Sequence, residues 1–238
     1  MHEYYVKNKS KLKKEMNGFL SLVSVELEED TRIPYSELFE EIWEYYEKNL
    51  LERFPYIGGD KASGTRNLTG AYNFIACGEV CKKYGVSLER WGYLTTLCYN
   101  RYFDRFPKVA KKLVGKLMKN PRICNSVFKK KAEKNRKIAE QYKGSFETEL
   151  QTPTKTFYAA YNTNVCPIAD FARKYGYMEY MPYICNLDYV MFSQFNTSFY
   201  REKTCAAGDG YCDFKFKRDG EIIPFWPCHA ANPNDSLK

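Results

Sequence analysis

Gly144 marks the change of hydrophobic rhythm that most constrains the fold of this chain. Upstream, apolar residues recur at three- and four-residue spacing; downstream, runs rich in Thr, Tyr and Phe take over. From Pro34 onward Leu38, Phe39, Ile42, Tyr45, Tyr46, Leu50 and Leu51 trace one helical face, with glutamates between them. That pattern stops at Phe54-Pro55, and Gly58-Gly59 supplies a turn. The spacing predicts a second helix over 71–84, closed by Gly85, and a third over 88–103 with Ser87 as N-cap. Pro107 opens a fourth, long helix with a break near Asn120-Pro121.

After Gly144 the sequence predicts strands over 146–150 and 156–163. Pro167 suits the first position of a short helix, which places Cys166 at its N-cap and Gly176 at its end. Residues 179–195 read as a further helix. The runs 197–206 and 211–217 read as strands joined across Ala207-Gly208-Asp209-Gly210. A helical half followed by strand, strand, helix, helix, strand, strand predicts an α+β fold. In it, the helical N-terminal half packs on a C-terminal antiparallel sheet with two or more helices. Residues 1–33 read as a charged lead-in. Residues 34–220 read as one continuous domain, mainly helical to 144 and mixed over 145–220. Residues 221–238, with Pro224, Pro227 and Pro233, read as an extended tail.

At 238 residues and 44% hydrophobic content the chain is long enough for one large core. The formal charge of +8 raises the question of nucleic acid, but its distribution argues against such a partner. Much of the excess lies in Lys7–Lys14 and in Lys111–Lys137, the latter on an amphipathic helix, where a solvated face explains it. No apolar stretch approaches the roughly 18 residues of a membrane span, and the polar, basic start lacks the apolar core of a signal peptide. The expectation is a soluble, cytoplasmic protein that binds a small molecule, with no membrane partner. A homo-oligomer is compatible with the sequence. Nine cysteines in that setting are expected as thiols, ligands or core residues rather than a disulfide framework. Cys77, Cys81, Cys98 and Cys124 are expected in the core.

The remaining thiols lie among acids in 162–214, the expected seat of function. Cys185 and Asp188 stand three apart on a helix whose neighbours Ile184, Leu187, Met191 and Phe192 are apolar, so they share a partly buried face. A buried aspartate needs a partner or a ligand. Cys166, at a helix N-terminus, is expected to gain thiolate character, although packing in the core is the plainer reading. Cys205 and Cys212 flank the Gly-Asp-Gly turn. With Glu202, and with Cys185 or Cys166, they are candidate zinc ligands, although the spacing is not that of a zinc ribbon. His2 and His229 are the only histidines, which argues against histidine-based triads and multi-histidine metal sites.

Asn162-x-x-x-Cys166-Pro167, Cys185-x-x-Asp188 and Gly208-Asp209-x-x-Cys212-Asp213-Phe214 resemble the L-2-amino-thiazoline-4-carboxylic acid hydrolase family. The upstream segment Phe54-Pro55-Tyr56-Ile57-Gly58-Gly59 is similar to that family too, and the likeness extends over about residues 34–217. The resemblance implies a hydrolase that opens a C–N bond in a small cyclic amidine, giving a carbamoyl-cysteine. On that footing Asp188 is the expected base, and Cys185 or Cys166 a nucleophile or ligand. Asn162 would orient the ring, and Arg201 would clamp the substrate carboxylate. The run Cys205 to Cys212 is also similar to the end of 4-vinyl-reductase-like small-molecule-binding domains. In some of these a Glu-x-x-Cys and a further Cys bind zinc. The alternative this implies is a non-catalytic sensor module in which Glu202, Cys205 and Cys212 hold the metal.

Overall fold

A computed structural model describes residues 1–229 of the chain. Seven helices come first: α1 (Glu3–Leu20), α2 (Ser24–Thr31), α3 (Tyr35–Tyr45), α4 (Ser63–Lys83), α5 (Leu88–Asp104), α6 (Lys108–Met118) and α7 (Pro121–Gln141). Then follow β1 (Glu147–Gln151), β2 (Ala159–Val165), α8 (Pro167–Tyr175), α9 (Met181–Gln194), β3 (Ser198–Tyr200) and β4 (Cys212–Lys217). The four strands form one antiparallel sheet in the order β1-β2-β4-β3. This is the α+β architecture expected, with the helical half first.

Local chemistry explains most boundaries. Ser87 accepts the amide of Arg90 at 3.1 Å and starts α5. Asn120 accepts the amides of Arg122 and Ile123 at 3.1 and 3.3 Å, and Pro121 follows at the first helical turn. The break between α6 and α7 therefore falls where the Asn-Pro pair predicts it. Gly176 ends α8 at φ +86°, a left-handed conformation that favours glycine. The face of α3 identified by its spacing is buried except at the half-buried Tyr45, and it continues into a π-helical turn, Tyr46–Leu51.

The N-terminal 33 residues do more than lead in. Tyr5, Leu12, Met16, Leu20, Val23 and Leu27 of α1, α2 and the turn between them are buried in the main core, beside α3, α4 and α5. Basic residues interrupt the apolar ones there, so the four- and three-residue spacing is hard to see in the sequence. At the other end, 221–229 have no regular structure but are docked. The Asn186 amide donates to the Phe225 carbonyl at 2.6 Å, and Trp226 packs on Tyr93 and Tyr183. The remainder of the expected tail, 230–238, lies outside the described residues.

A second, smaller core joins α7 and α9 to the sheet through Phe128, Tyr161, Tyr189, Phe192, Phe199 and Phe216. The helix α6 is pinned to the end of α9, where Lys111 donates to Gln194 at 2.7 Å. A Cβ on Gly115 would lie 2.1 Å from the Phe195 carbonyl oxygen. Gly115→Ala is therefore expected to destabilise by about 1–3 kcal/mol through overpacking, against a gain of about 1 kcal/mol from helix propensity. A urea midpoint that rises in this variant would refute so close an approach.

The third expected strand is shorter than its sequence indicates. Only Ser198–Tyr200 pair with β4, because the chain turns away at Arg201. The amides of Glu202 and Lys203 donate to Asp213 Oδ1 at 3.0 and 2.7 Å instead of continuing the ladder. Cys205–Ala207 form a single 3₁₀ turn, and Gly208 closes it at φ +95°.

Candidate functional site

The site lies where the two cores meet, and α9 is its spine. Ile184, Leu187 and Val190 bury one side of this helix, which leaves Cys185 and Asp188 on a half-exposed face. Arg201, just past β3, reaches back to this face. Its Nη1 donates to Asp188 Oδ2 at 2.6 Å and its Nη2 to the Cys185 carbonyl at 2.6 Å. The guanidinium side chain is 3% exposed and the Asp188 side chain 33%. Burial alone would lower the Arg201 pKa, but the charge of Asp188 and the neighbouring groups raise it overall. The rings of Tyr189, Phe199 and Phe214 surround the guanidinium at 5.4–5.5 Å. Among the described residues, no protein group bonds Asp188 Oδ1. The result is a fixed carboxylate with one oxygen anchored and the other available.

The motif Gly208-Asp209-x-x-Cys212-Asp213-Phe214 builds the segment that delivers Arg201. Asp209 accepts the Thr204 amide at 2.9 Å, and Asp213 takes the amides of Glu202 and Lys203 and the ammonium of Lys215, the last at 2.8 Å. Phe214 stacks on Tyr161 at 4.5 Å and lies under the guanidinium. These aspartates act on backbone geometry, which the sequence alone could not distinguish from chemistry.

The charge of Asp188 also reaches groups on other elements. Burial raises the Tyr99 hydroxyl on α5 and the Tyr161 hydroxyl on β2, and Asp188 adds to both shifts. Lys131 on α7 donates to the Tyr161 hydroxyl at 3.1 Å, with its ammonium 4.4 Å from the ring centre. Lys131 is exposed to solvent. Even so, the protein around its ammonium lowers its pKa, against the opposing pull of Asp188. Sequence reasoning placed this lysine on the solvated basic face. The missed signal was the spacing Cys124, Phe128, Lys131, Asn135, which puts it in phase with two buried residues.

The expected site residues divide accordingly. Cys185, Asp188 and Arg201 come together. Asn162 does not join them: it neighbours Tyr161 and pairs with Asp213, so strand alternation turns it to the opposite face of the sheet. Cys166 caps α8 as expected and lines a separate open cavity of about 160 Å³ with Cys205, Arg173 and Asp209; Cys185, Asp188 and Arg201 are absent from its lining. Thiolate character at Cys166 is not favoured either. Burial raises its pKa and outweighs the amides of Ile168 and Ala169 at the helix start. Burial also pushes Cys185 up to about 12, so it too is a protonated thiol near neutrality.

The three zinc candidates do not converge. Glu202 turns outward to Lys215 at 2.5 Å. The Cys205 amide donates to Cys212 Sγ at 3.2 Å, and Cys205 Sγ donates to the Thr163 carbonyl at 3.5 Å. The bond between the two thiols lowers Cys205 and raises Cys212, so the first proton of the pair leaves more easily and the second is retained. Among the described residues no three His, Cys, Asp or Glu side chains gather closely enough to hold a metal ion. Cys77, Cys81, Cys98 and Cys124 are buried, as expected. No helix among the described residues is long and apolar enough to cross a membrane.

The sequence profile of one family, L-2-amino-thiazoline-4-carboxylic acid hydrolase, matches residues 95–216. No curated protein matches the chain, and no solved structure does. The matched stretch carries Tyr99, Lys131, Tyr161, Asp188 and Arg201, whereas Phe54–Gly59 lies before it. It spans just over half of the 238 residues, and the chain belongs to the L-2-amino-thiazoline-4-carboxylic acid hydrolase family.

Proposed function

We propose that this chain is a hydrolase that opens a small cyclic amidine of the 2-amino-thiazoline carboxylate type, with Asp188 as general base. The observation that carries the reading is the Asp188 carboxylate itself, anchored through Oδ2 by a buried arginine while Oδ1 has no partner among the described residues. A base needs that combination of fixed position and free lone pair. Water adds its oxygen to the C=N carbon and gives a proton to Asp188 Oδ1. Asp188 returns that proton to the ring nitrogen, giving a tetrahedral carbon that bears the new hydroxyl. The hydroxyl proton then passes to the same nitrogen as its bond to the carbon breaks and the C=O forms, which leaves a carbamoyl product and a free amine.

Arg201 has a different role from the clamp its sequence context implied. Both terminal nitrogens are engaged within the protein, so it acts as a positioning residue for Asp188. Water, rather than a thiol, is the nucleophile in this reading, because burial holds Cys185 protonated.

The test is ring opening of 2-amino-thiazoline-4-carboxylate by the purified chain, followed by loss of substrate and appearance of the carbamoyl product. Absence of turnover overturns the reading. Cys185→Ser is expected to keep kcat within about threefold, whereas loss on the scale of a missing nucleophile, roughly a hundredfold or more, would return the thiol to the mechanism.

A further inference from the structure

With Arg201 committed to Asp188 and to the Cys185 carbonyl, the site needs another cation if its substrate is an anion. The basic stretch of α7 supplies one in a distinctive setting. Lys129 and Lys130 are exposed on the solvent side. Lys131 instead turns its ammonium onto Tyr161, bonding the hydroxyl at 3.1 Å and lying 4.4 Å from the ring centre and 5.9 Å from that of Phe214. No carboxylate among the described residues forms an ion pair with it. The same Tyr161–Phe214 stack packs against the guanidinium that holds Asp188. Lys131 and the Arg201–Asp188 pair thus lie at the two sides of one aromatic stack, with Lys131 within electrostatic reach of Asp188 but not paired with it.

We propose that Lys131 is a binding residue of this site and that its solvent-exposed ammonium, held in place by the buried Tyr161, takes the carboxylate of a small anionic substrate. An ammonium donates three hydrogen bonds, and Tyr161 takes one, so donors remain for a carboxylate. Carboxylate bound at Lys131 and water activated at Asp188 would hold the two ends of one small ring. The inference rests on the hydrolase reading for the identity of the ring, but not for the binding of the carboxylate.

The experiment compares 2-amino-thiazoline-4-carboxylate with its 4-carboxamide on the full chain, as wild type, Lys131→Met and Lys131→Arg. Affinity is read as KM where turnover occurs and by equilibrium titration where it does not. Wild type is expected to favour the carboxylate. Lys131→Met should weaken carboxylate binding about ten- to a hundredfold while leaving the carboxamide unchanged, with kcat altered far less than KM. Lys131→Arg should restore part of the preference. A wild type without preference for the carboxylate overturns the proposal, as does a Lys131→Met variant that keeps it. A lysine that merely covers the Tyr161 ring would affect both ligands alike. If the wild type binds the carboxylate through Lys131 but opens no ring, the hydrolase reading fails and the Lys131 site stands.

Discussion

Asp188→Asn is expected to lower kcat/KM for ring opening by about 10²–10⁴-fold, the range for loss of a positioned general base. The substitution keeps the side-chain shape, and the amide oxygen still accepts from Arg201. What it removes is the basic lone pair and the counter-charge of a guanidinium that is 3% exposed. Breaking a fully buried pair costs about 3–5 kcal/mol, but the Asp188 end is a third exposed and water screens the change, so about 1 kcal/mol of stability is expected to go. Steady-state rates and urea unfolding on the same preparation separate the two effects. A variant that folds and retains wild-type turnover would remove Asp188 as the base.

Arg201→Met is expected to be the most damaging single change to stability near the site, at about 3 kcal/mol. Methionine fills part of the arginine stem between Tyr189, Phe199 and Phe214 but offers no donor. The Cys185 carbonyl then loses its partner at 2.6 Å, and so does Asp188. Both losses fall on one turn of α9, which is then held to β3 by the packing of Tyr189 and Phe192 on Phe199 and by the Tyr189 hydroxyl on the backbone carbonyl of residue 201. Turnover should fall with stability, because a base free to rotate forfeits its geometry. Arg201→Lys keeps the charge but not the two-pronged reach, and an intermediate loss is expected. The measurement is the urea midpoint at unchanged m-value, with rates taken at a denaturant-free temperature where both variants are folded. An unfolding free energy within about 1 kcal/mol of wild type would mean that the buried pair contributes little to holding α9.

How readily each element could be read follows the range of the interaction that makes it. Ser87 and Asn120 cap helices through bonds to amides two or three residues away, and Gly176 ends one through its own backbone angle. Such features are local, so composition and spacing expose them. The failures are equally instructive. Thr197–Ala206 has strand-like residues, but the side chain of Asp213, about ten positions on, captures the amides that a longer strand would need. Cys166 has the helix-start position that favours a thiolate, yet tertiary burial outweighs the few amides nearby. Asn162, one residue from Tyr161, falls on the opposite face of the sheet because the pleat alternates.

The sequence by itself determined the α+β class, the division at Gly144, most helix ends, and the pairing of Cys185 with Asp188 on one helical face. Each follows from periodicity or capping within a few residues. Only the tertiary structure decided what that face does. It tied Arg201 to Asp188 and to the Cys185 carbonyl, turned Glu202 outward to Lys215, and set Cys166 beside a different cavity. It also drew Lys131, 30 residues from Tyr161, out of a basic run and onto an aromatic platform. Those outcomes depend on which surfaces α7, α9 and the sheet bury against one another, and burial between distant segments leaves no periodic trace in the chain.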